Sequence, residues 1–260
     1  MEMLAANVRR PRTREELLAW LESRRTAAAA SPRPASANPA PPLTSETQRS
    51  LLLRSGLTRK ERSLSLTALE PPKGRCTHQK QAQAILLRFC REAKDGREAW
   101  RVPAWSIVLS SRATGTGKTY LVKALTADLC RAGVPALFLP EGEMNTWLRE
   151  AFGDDAEFGV RQLHRRWMRP RVLVLDEIAG DRCSEYTASQ LKQLIEERER
   201  LGLPIIGTSQ CDPDLMERRI DRVAPDHGRR IASRLAGMCW LGEASTWLRM
   251  EGPDLRLREG

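Results

Sequence analysis

A short apolar run, Trp105 to Ser110, leads into Arg112-Ala113-Thr114-Gly115-Thr116-Gly117-Lys118-Thr119, and a helix-forming stretch follows as far as Ala132. No other feature constrains the fold of this chain as tightly. A strand, a glycine-containing turn and a helix that opens on Gly-Lys-Thr form a phosphate-binding loop, in which glycines let backbone N–H groups close on an anion. The helix N-terminus adds its partial positive charge at the same spot. In such a loop Lys118 reaches the outer phosphates of a nucleotide, and the Thr119 hydroxyl ligates Mg²⁺. The candidate nucleotide-binding set is therefore Thr114, Gly115, Thr116, Gly117, Lys118, Thr119 and Tyr120, with ATP and Mg²⁺ as the implied cofactors. One position departs from the pattern. Arg112 stands where these loops open on glycine, and a required positive φ there would cost about 1–2 kcal/mol. The phosphate-cradling half is intact, which predicts that ATP binding survives Arg112.

A second run, Val172-Leu173-Val174-Leu175, ends in Asp176-Glu177. A buried strand of this kind delivers its carboxylates to the crevice at the carboxyl end of a parallel sheet. Asp176 is the candidate Mg²⁺ ligand, through water, and Glu177 the group that orients and polarises an attacking water. The strand Leu203 to Thr208 then exits through Ser209-Gln210, so that Gln210 is a candidate sensor of the outer phosphate. Arg230 and Arg234 lie four apart on a helix over Gly228 to Leu235 and share a face. An arginine there serves either as a finger reaching a neighbouring subunit's nucleotide or as part of a solvated basic face.

Between these motifs the chain alternates helical and apolar strand signals from about Thr67 to Met250, which predicts a doubly wound, mostly parallel α/β sheet. The segment before it is different. Thr13-Arg14-Glu15-Glu16 is a capping box that opens a short helix through residue 25, and residues 1–25 are a segment that docks either on its own domain or, as partner-binding segment, on another protein. Prolines and alanines crowd residues 26–45 into a linker, and 46–66 read as a basic connector with one helical patch. The expected ATPase domain is 67–260. Residues 1–66 hold 12 basic and 6 acidic residues of a chain with net charge +10, which reads equally as attraction to nucleic acid or an acidic partner and as an Arg-rich, solvated tail. Six scattered cysteines without a CxxC pair, no apolar leader and no membrane span place the chain in the cytoplasm by expectation.

The ordered set Gly115-Thr116-Gly117-Lys118-Thr119, Leu173 to Ile178, Thr208-Ser209-Gln210 and Ser233-Arg234-Leu235 resembles the AAA+ ATPases of the DnaC/IstB type. These are bacterial and phage helicase loaders and ATP-binding helpers of certain transposases. The resemblance implies a P-loop AAA+ domain without a C-terminal helical lid, with the Gln210 strand lying between the P-loop strand and the acidic strand. It implies Glu177, Gln210 and Arg234 as catalytic residues, with Arg234 as a finger in trans and Gln210 where the family usually carries asparagine. The implied partners are a replicative helicase or a transposase, single-stranded DNA, and further copies of the chain once ATP is bound. His164 to Arg169 mixes cationic and aromatic side chains suited to single-stranded DNA, although a surface helix with Trp167 buried fits the same residues. The leading expectation is a DNA replication ATPase that loads or remodels a replicative helicase. Its rivals are a transposase helper and a nucleotide-sensing module with little turnover.

Overall fold

The apolar runs become the strands of a parallel sheet because they are covered from both sides. The computed structural model describes residues 43–70, 77–99, 101–151, 159–180, 183–252 and 254–255. The helix expected over Thr13 to Arg25, most of the linker and Cys76 lie outside the described residues. Five strands stand in the order β2, β3, β4, β1, β7, every pairing parallel. They are β1 (Ile107–Ser110), β2 (Ala136–Pro140), β3 (Val172–Asp176), β4 (Ile205–Ser209) and β7 (Trp247–Arg249). As the resemblance implies, β4 lies between the P-loop strand and the acidic strand.

Side chains alternate between the two faces. Ile107, Leu109, Phe138, Val172, Val174 and Ile206 join one core with α2 (Thr77–Asp95) and α3 (Lys118–Arg131). Leu137, Leu139, Leu173, Leu175 and Ile205 join the other. That second core is closed by α4 (Glu141–Glu150), α5 (Val160–Met168), α6 (Glu185–Arg200), α7 (Pro213–Asp221) and α8 (His227–Met238). The sequence reading passed over α7, although its start is well marked. Asp212 caps it by accepting the Leu215 N–H at 2.9 Å, and Pro213 follows at the first helical position. Trp240–Leu241 (β5) pairs antiparallel with Ala244–Ser245 (β6), and of the last three strands the return strand β7 alone joins the main sheet. Among the described residues no helix follows β7, and none is long and apolar enough to cross a membrane.

The connector expected over 46–66 is corrected by its contacts. Helix α1 (Ser45–Arg54), capped by Thr44, packs on α3. The turn after it meets the edge strand: the Ser55 carbonyl accepts the Phe138 N–H at 2.7 Å. Gly56 holds φ +78° there, and a Cβ on it would lie 2.1 Å from the Phe138 carbonyl oxygen. Beyond the turn, Glu61 pairs with Lys123 at 2.6 Å, and Arg131 donates to the carbonyls of Arg62 and Leu64. This stretch is bolted to the domain rather than strung ahead of it.

At the opposite end of the strands from the phosphate loop, Arg198 is fully buried. Its guanidinium donates to the carbonyls of Trp167 (3.1 Å), Pro170 (3.2 Å), Arg171 (3.2 Å) and Pro204 (3.0 Å), which gathers the entries to β3 and β4. Burial, with the Arg171 charge adding to it, pushes its pKa down to about 9, so it stays cationic at neutral pH. Replacing Arg198 by methionine strands several buried carbonyls at about 1–3 kcal/mol each. The expected loss exceeds about 3 kcal/mol, read as a lower urea midpoint at unchanged slope.

Candidate nucleotide site

β1 hands the chain to the phosphate loop at Ser111, whose N–H bonds the Ser209 carbonyl at 3.1 Å. The Ser111 hydroxyl accepts the Ala113 N–H at 3.1 Å and starts the turn. Gly115 (φ +69°) and Gly117 (φ +88°) then take left-handed conformations, and Gly117 directly precedes the first residue of α3. Successive N–H groups in such a turn point inward and make an anion-binding concavity. Lys118 folds back over this turn, its Nζ 3.1 Å from the Ala113 carbonyl and 3.3 Å from Thr116 Oγ1. Arg112 does not adopt a positive φ, so the strain anticipated for a non-glycine residue does not arise. Its guanidinium lies outside, 3.6 Å from Asp212 Oδ2. Tyr120 is half exposed on the first turn of α3.

Asp176 joins the two halves of the site. Its Oδ1 accepts the hydroxyl of Thr119 at 2.9 Å and that of Thr208 at 2.7 Å. The next residue reverses the chain: Glu177 holds φ +67°, and Ala179 holds φ +58°. Each such residue costs on the order of 1–2 kcal/mol, and local hydrogen bonds offset that strain. The Glu177 N–H donates to Thr208 Oγ1 at 2.9 Å, and the Ile178 N–H to the Thr208 carbonyl at 2.8 Å. The Ser209 hydroxyl donates to the Ile178 carbonyl at 2.8 Å. Gly207 lets the reversal settle on β4, since a Cβ there would lie 2.6 Å from Ile178 Cδ1. The Glu177 carboxylate consequently meets Gln210, whose Nε2 donates to Oε1 at 3.0 Å.

Thr119, Asp176, Glu177 and Gln210, expected to act together, therefore form one hydrogen-bonded chain with Thr208 as its hinge. Sequence reasoning quoted Thr208 without assigning it a role; a hydroxyl at the mouth of an apolar strand was the available signal. It also passed over Glu141, the first residue after β2. Glu141 is buried and accepts the Gly180 N–H at 2.7 Å. Burial, with the Glu177 carboxylate adding to it, pushes its pKa up to about 7, although the Gly180 N–H favours the ionised form. Arg234 is not in this network: its guanidinium pairs with Glu196 at 3.2 Å and Glu199 at 2.7 Å on α6. In the His164 to Arg169 stretch Trp167 is fully buried, so the surface-helix reading holds for that ring. Arg166 instead lies over the Trp147 ring at 4.7 Å.

Residues 99–212 match the family of IstB-like ATP binding proteins. The matched stretch runs from before β1 through the phosphate loop and the acidic turn to Gln210. A putative ATP-binding protein from an insertion sequence of Mycobacterium tuberculosis is 30% identical over 115 residues, 44% of this chain and 44% of that protein. The chain thus matches less than half the length of that relative. Among solved structures, DnaI superimposes with TM-score 0.56 at 18% identity, covering 76% of this chain and 93% of that one. The DnaC helicase loader does so with TM-score 0.56 at 16% identity, covering 75% and 100%. The sequence likeness to IstB-like ATP binding proteins thus falls on residues 99–212, and the solved structures share the α/β fold read from the motifs.

Glu141 gives this domain a pH signature. Its folded pKa of about 7 lies above the ordinary 4.5, so its contribution to stability is full below about 4.5 and is lost as pH rises through about 7. Unfolding free energy should fall across that window by on the order of 2–3 kcal/mol. Glu141→Gln should remove that fall in urea titrations run from pH 5 to 8.

Proposed function

We propose that this chain is a P-loop AAA+ ATPase that binds ATP and Mg²⁺ at residues 114–120 and hydrolyses it with Glu177, working on DNA as the helper of a transposase. The observation that carries the chemistry is the continuous network from Thr119 through Asp176, Thr208 and Glu177 to Gln210. The Thr119 hydroxyl and an Asp176 carboxylate oxygen face each other at 2.9 Å, hard oxygen donors of the kind Mg²⁺ takes. Bound there, Mg²⁺ would neutralise charge on the outer phosphates. Thr119 would hold it directly and Asp176 through water. Lys118 would exchange its loop carbonyl for phosphate oxygen. Glu177, fixed in direction by its backbone reversal, would accept a proton from the attacking water. Gln210 holds that carboxylate through its amide N–H. The methylene it has beyond asparagine lengthens its reach, and the Glu177 bond takes up that length.

The sequence likeness to IstB-like proteins and to an insertion-sequence ATP-binding protein supports a transposase as partner. Loading or remodelling of a replicative helicase is the second reading, supported by fold likeness to DnaC and DnaI. Exposed Arg161, Arg165, Arg166 and Arg169, with Arg166 over the Trp147 ring, offer cationic and aromatic side chains suited to single-stranded DNA. Arg234 would act in trans within an ATP-bound homo-oligomer, after leaving Glu196 and Glu199. The free cysteines suit the cytoplasm.

Phosphate release by the full-length chain tests this reading. Glu177→Gln should lower turnover at least about 100-fold while ATP affinity stays within a few-fold; unchanged turnover removes Glu177 from its role. Arg234→Ala should be inactive alone at high protein concentration yet regain turnover when mixed with Glu177→Gln, because mixed interfaces restore one complete site. Stimulation by an insertion-sequence transposase, and not by a replicative helicase, selects the first partner; the reverse selects the second.

A further inference from the structure

The chain beyond β7 returns to the phosphate loop. β7 lies beside β1 in parallel, with Arg249 opposite Ser110, so its carboxyl end emerges where the loop begins. The Met250 N–H donates to the Ser110 carbonyl at 2.7 Å, and the Glu251 N–H to His78 Nδ1 at 3.2 Å. Gly252 then backs onto the buried side chain of Gln79: a Cβ on Gly252 would lie 2.7 Å from Gln79 Nε2. That amide has neither its donor nor its acceptor satisfied.

Two residues later the chain is on the loop itself. The Leu255 N–H donates to the Gly115 carbonyl at 2.9 Å. Its Cδ1 lies 3.4 Å from where a Gly117 Cβ would stand. Asp254 sits against Gly115 with its whole carboxylate: a Cβ there would be 1.6 Å from Oδ1, 2.0 Å from Cγ and 2.6 Å from Oδ2. Thus an anion of the same chain is packed against the loop, in the place that a Gly115 side chain would fill. A loop of inward N–H groups at a helix N-terminus favours negative charge whatever its source.

We propose that Glu251, Gly252, Asp254 and Leu255 form a strap that closes the nucleotide site in the free chain, with the Asp254 carboxylate standing in for a phosphate, and that ATP binds only after displacing it. This rests on the nucleotide reading of the loop given above. The strap is tethered through β7, so it competes at a fixed, high effective concentration. Nucleotide affinity is lowered by the fraction of chains in which the strap is open. A strap closed nine times in ten weakens apparent affinity about tenfold. Gln79, pressed by Gly252 with its amide unmet, would be uncovered as the strap leaves.

Equilibrium titration with ADP and ATP compares the full chain with its Asp254→Asn and Asp254→Ala forms and with a chain ending at Gly252. Both point variants and the shortened chain should bind about tenfold tighter, with asparagine giving most of the gain because charge rather than bulk holds the strap. Hydrogen exchange supplies a second readout, since the Leu255 amide should exchange faster once nucleotide is bound. Equal affinities across the four chains, or Leu255 protection unchanged by saturating nucleotide, overturn the strap and leave the nucleotide site standing. No saturable binding by any of the four overturns the nucleotide reading and the strap with it.

Discussion

One hydroxyl holds the chemistry of this domain together. Thr208 Oγ1 donates to Asp176 and accepts from the Glu177 N–H, so the tip of β4 sets the position of both acidic residues. Together with the Ile178 N–H on the Thr208 carbonyl, that contact holds Glu177 in a left-handed backbone conformation, which a side chain resists. The reversal in turn aims the Glu177 carboxylate at Gln210 and packs Ile178 over Gly207. A small hydrogen-bonded group at a strand end thus does the work that a metal or a disulfide does in smaller folds. It is also the point at which the P-loop half and the acidic half become one site, because Asp176 reaches Thr119 with the oxygen that Thr208 holds.

Much of this was legible before any coordinates. Apolar runs four or five residues long, each ending in glycine or polar residues, predicted the parallel sheet, since only strands buried on both faces read that way. The strand, glycine turn and helix around Gly115 to Thr119, and the acidic turn at Asp176-Glu177, were legible because such turns need particular residue types at particular spacing. What stayed hidden depended on distance in space. Thr208 looked like an ordinary strand exit until β4 was seen beside β3. Glu141 gave no sign of itself in the sequence, and only burial, with the Glu177 carboxylate adding to it, raises its pKa. The basic stretch 46–66 read as a connector because its anchors, Arg131, Lys123 and the Phe138 backbone, lie 60 or more residues away in sequence. Asp254 carried no signal at all, since a lone acid near a chain end has none.

The departures from the pattern that the motifs resemble have different physical standing. Arg112 replaces a glycine yet keeps an ordinary φ, so the substitution costs the loop no backbone strain. Gln210 is longer than asparagine, and its extra reach ends on Glu177 rather than on empty space. Neither residue, as placed, argues against a working site. The identity of the partner is a separate matter. Side chains such as Arg166 over the Trp147 ring are independent of the fold that DnaC and DnaI share with this chain.

The turn at Ser55 and Gly56 has a consequence for assembly. A strand at the border of a sheet offers unpaired backbone groups that recruit foreign strands. Here the β2 border is already engaged: Ser55 takes the Phe138 N–H, and the Gly56 backbone lies against the Phe138 carbonyl at a distance no larger residue permits. Sheet extension by a visiting strand is blocked on that side. Companions approaching from there must therefore be recognised by side chains on helices and loops, where specificity can be written residue by residue, and not by the sequence-blind pairing of main chain with main chain.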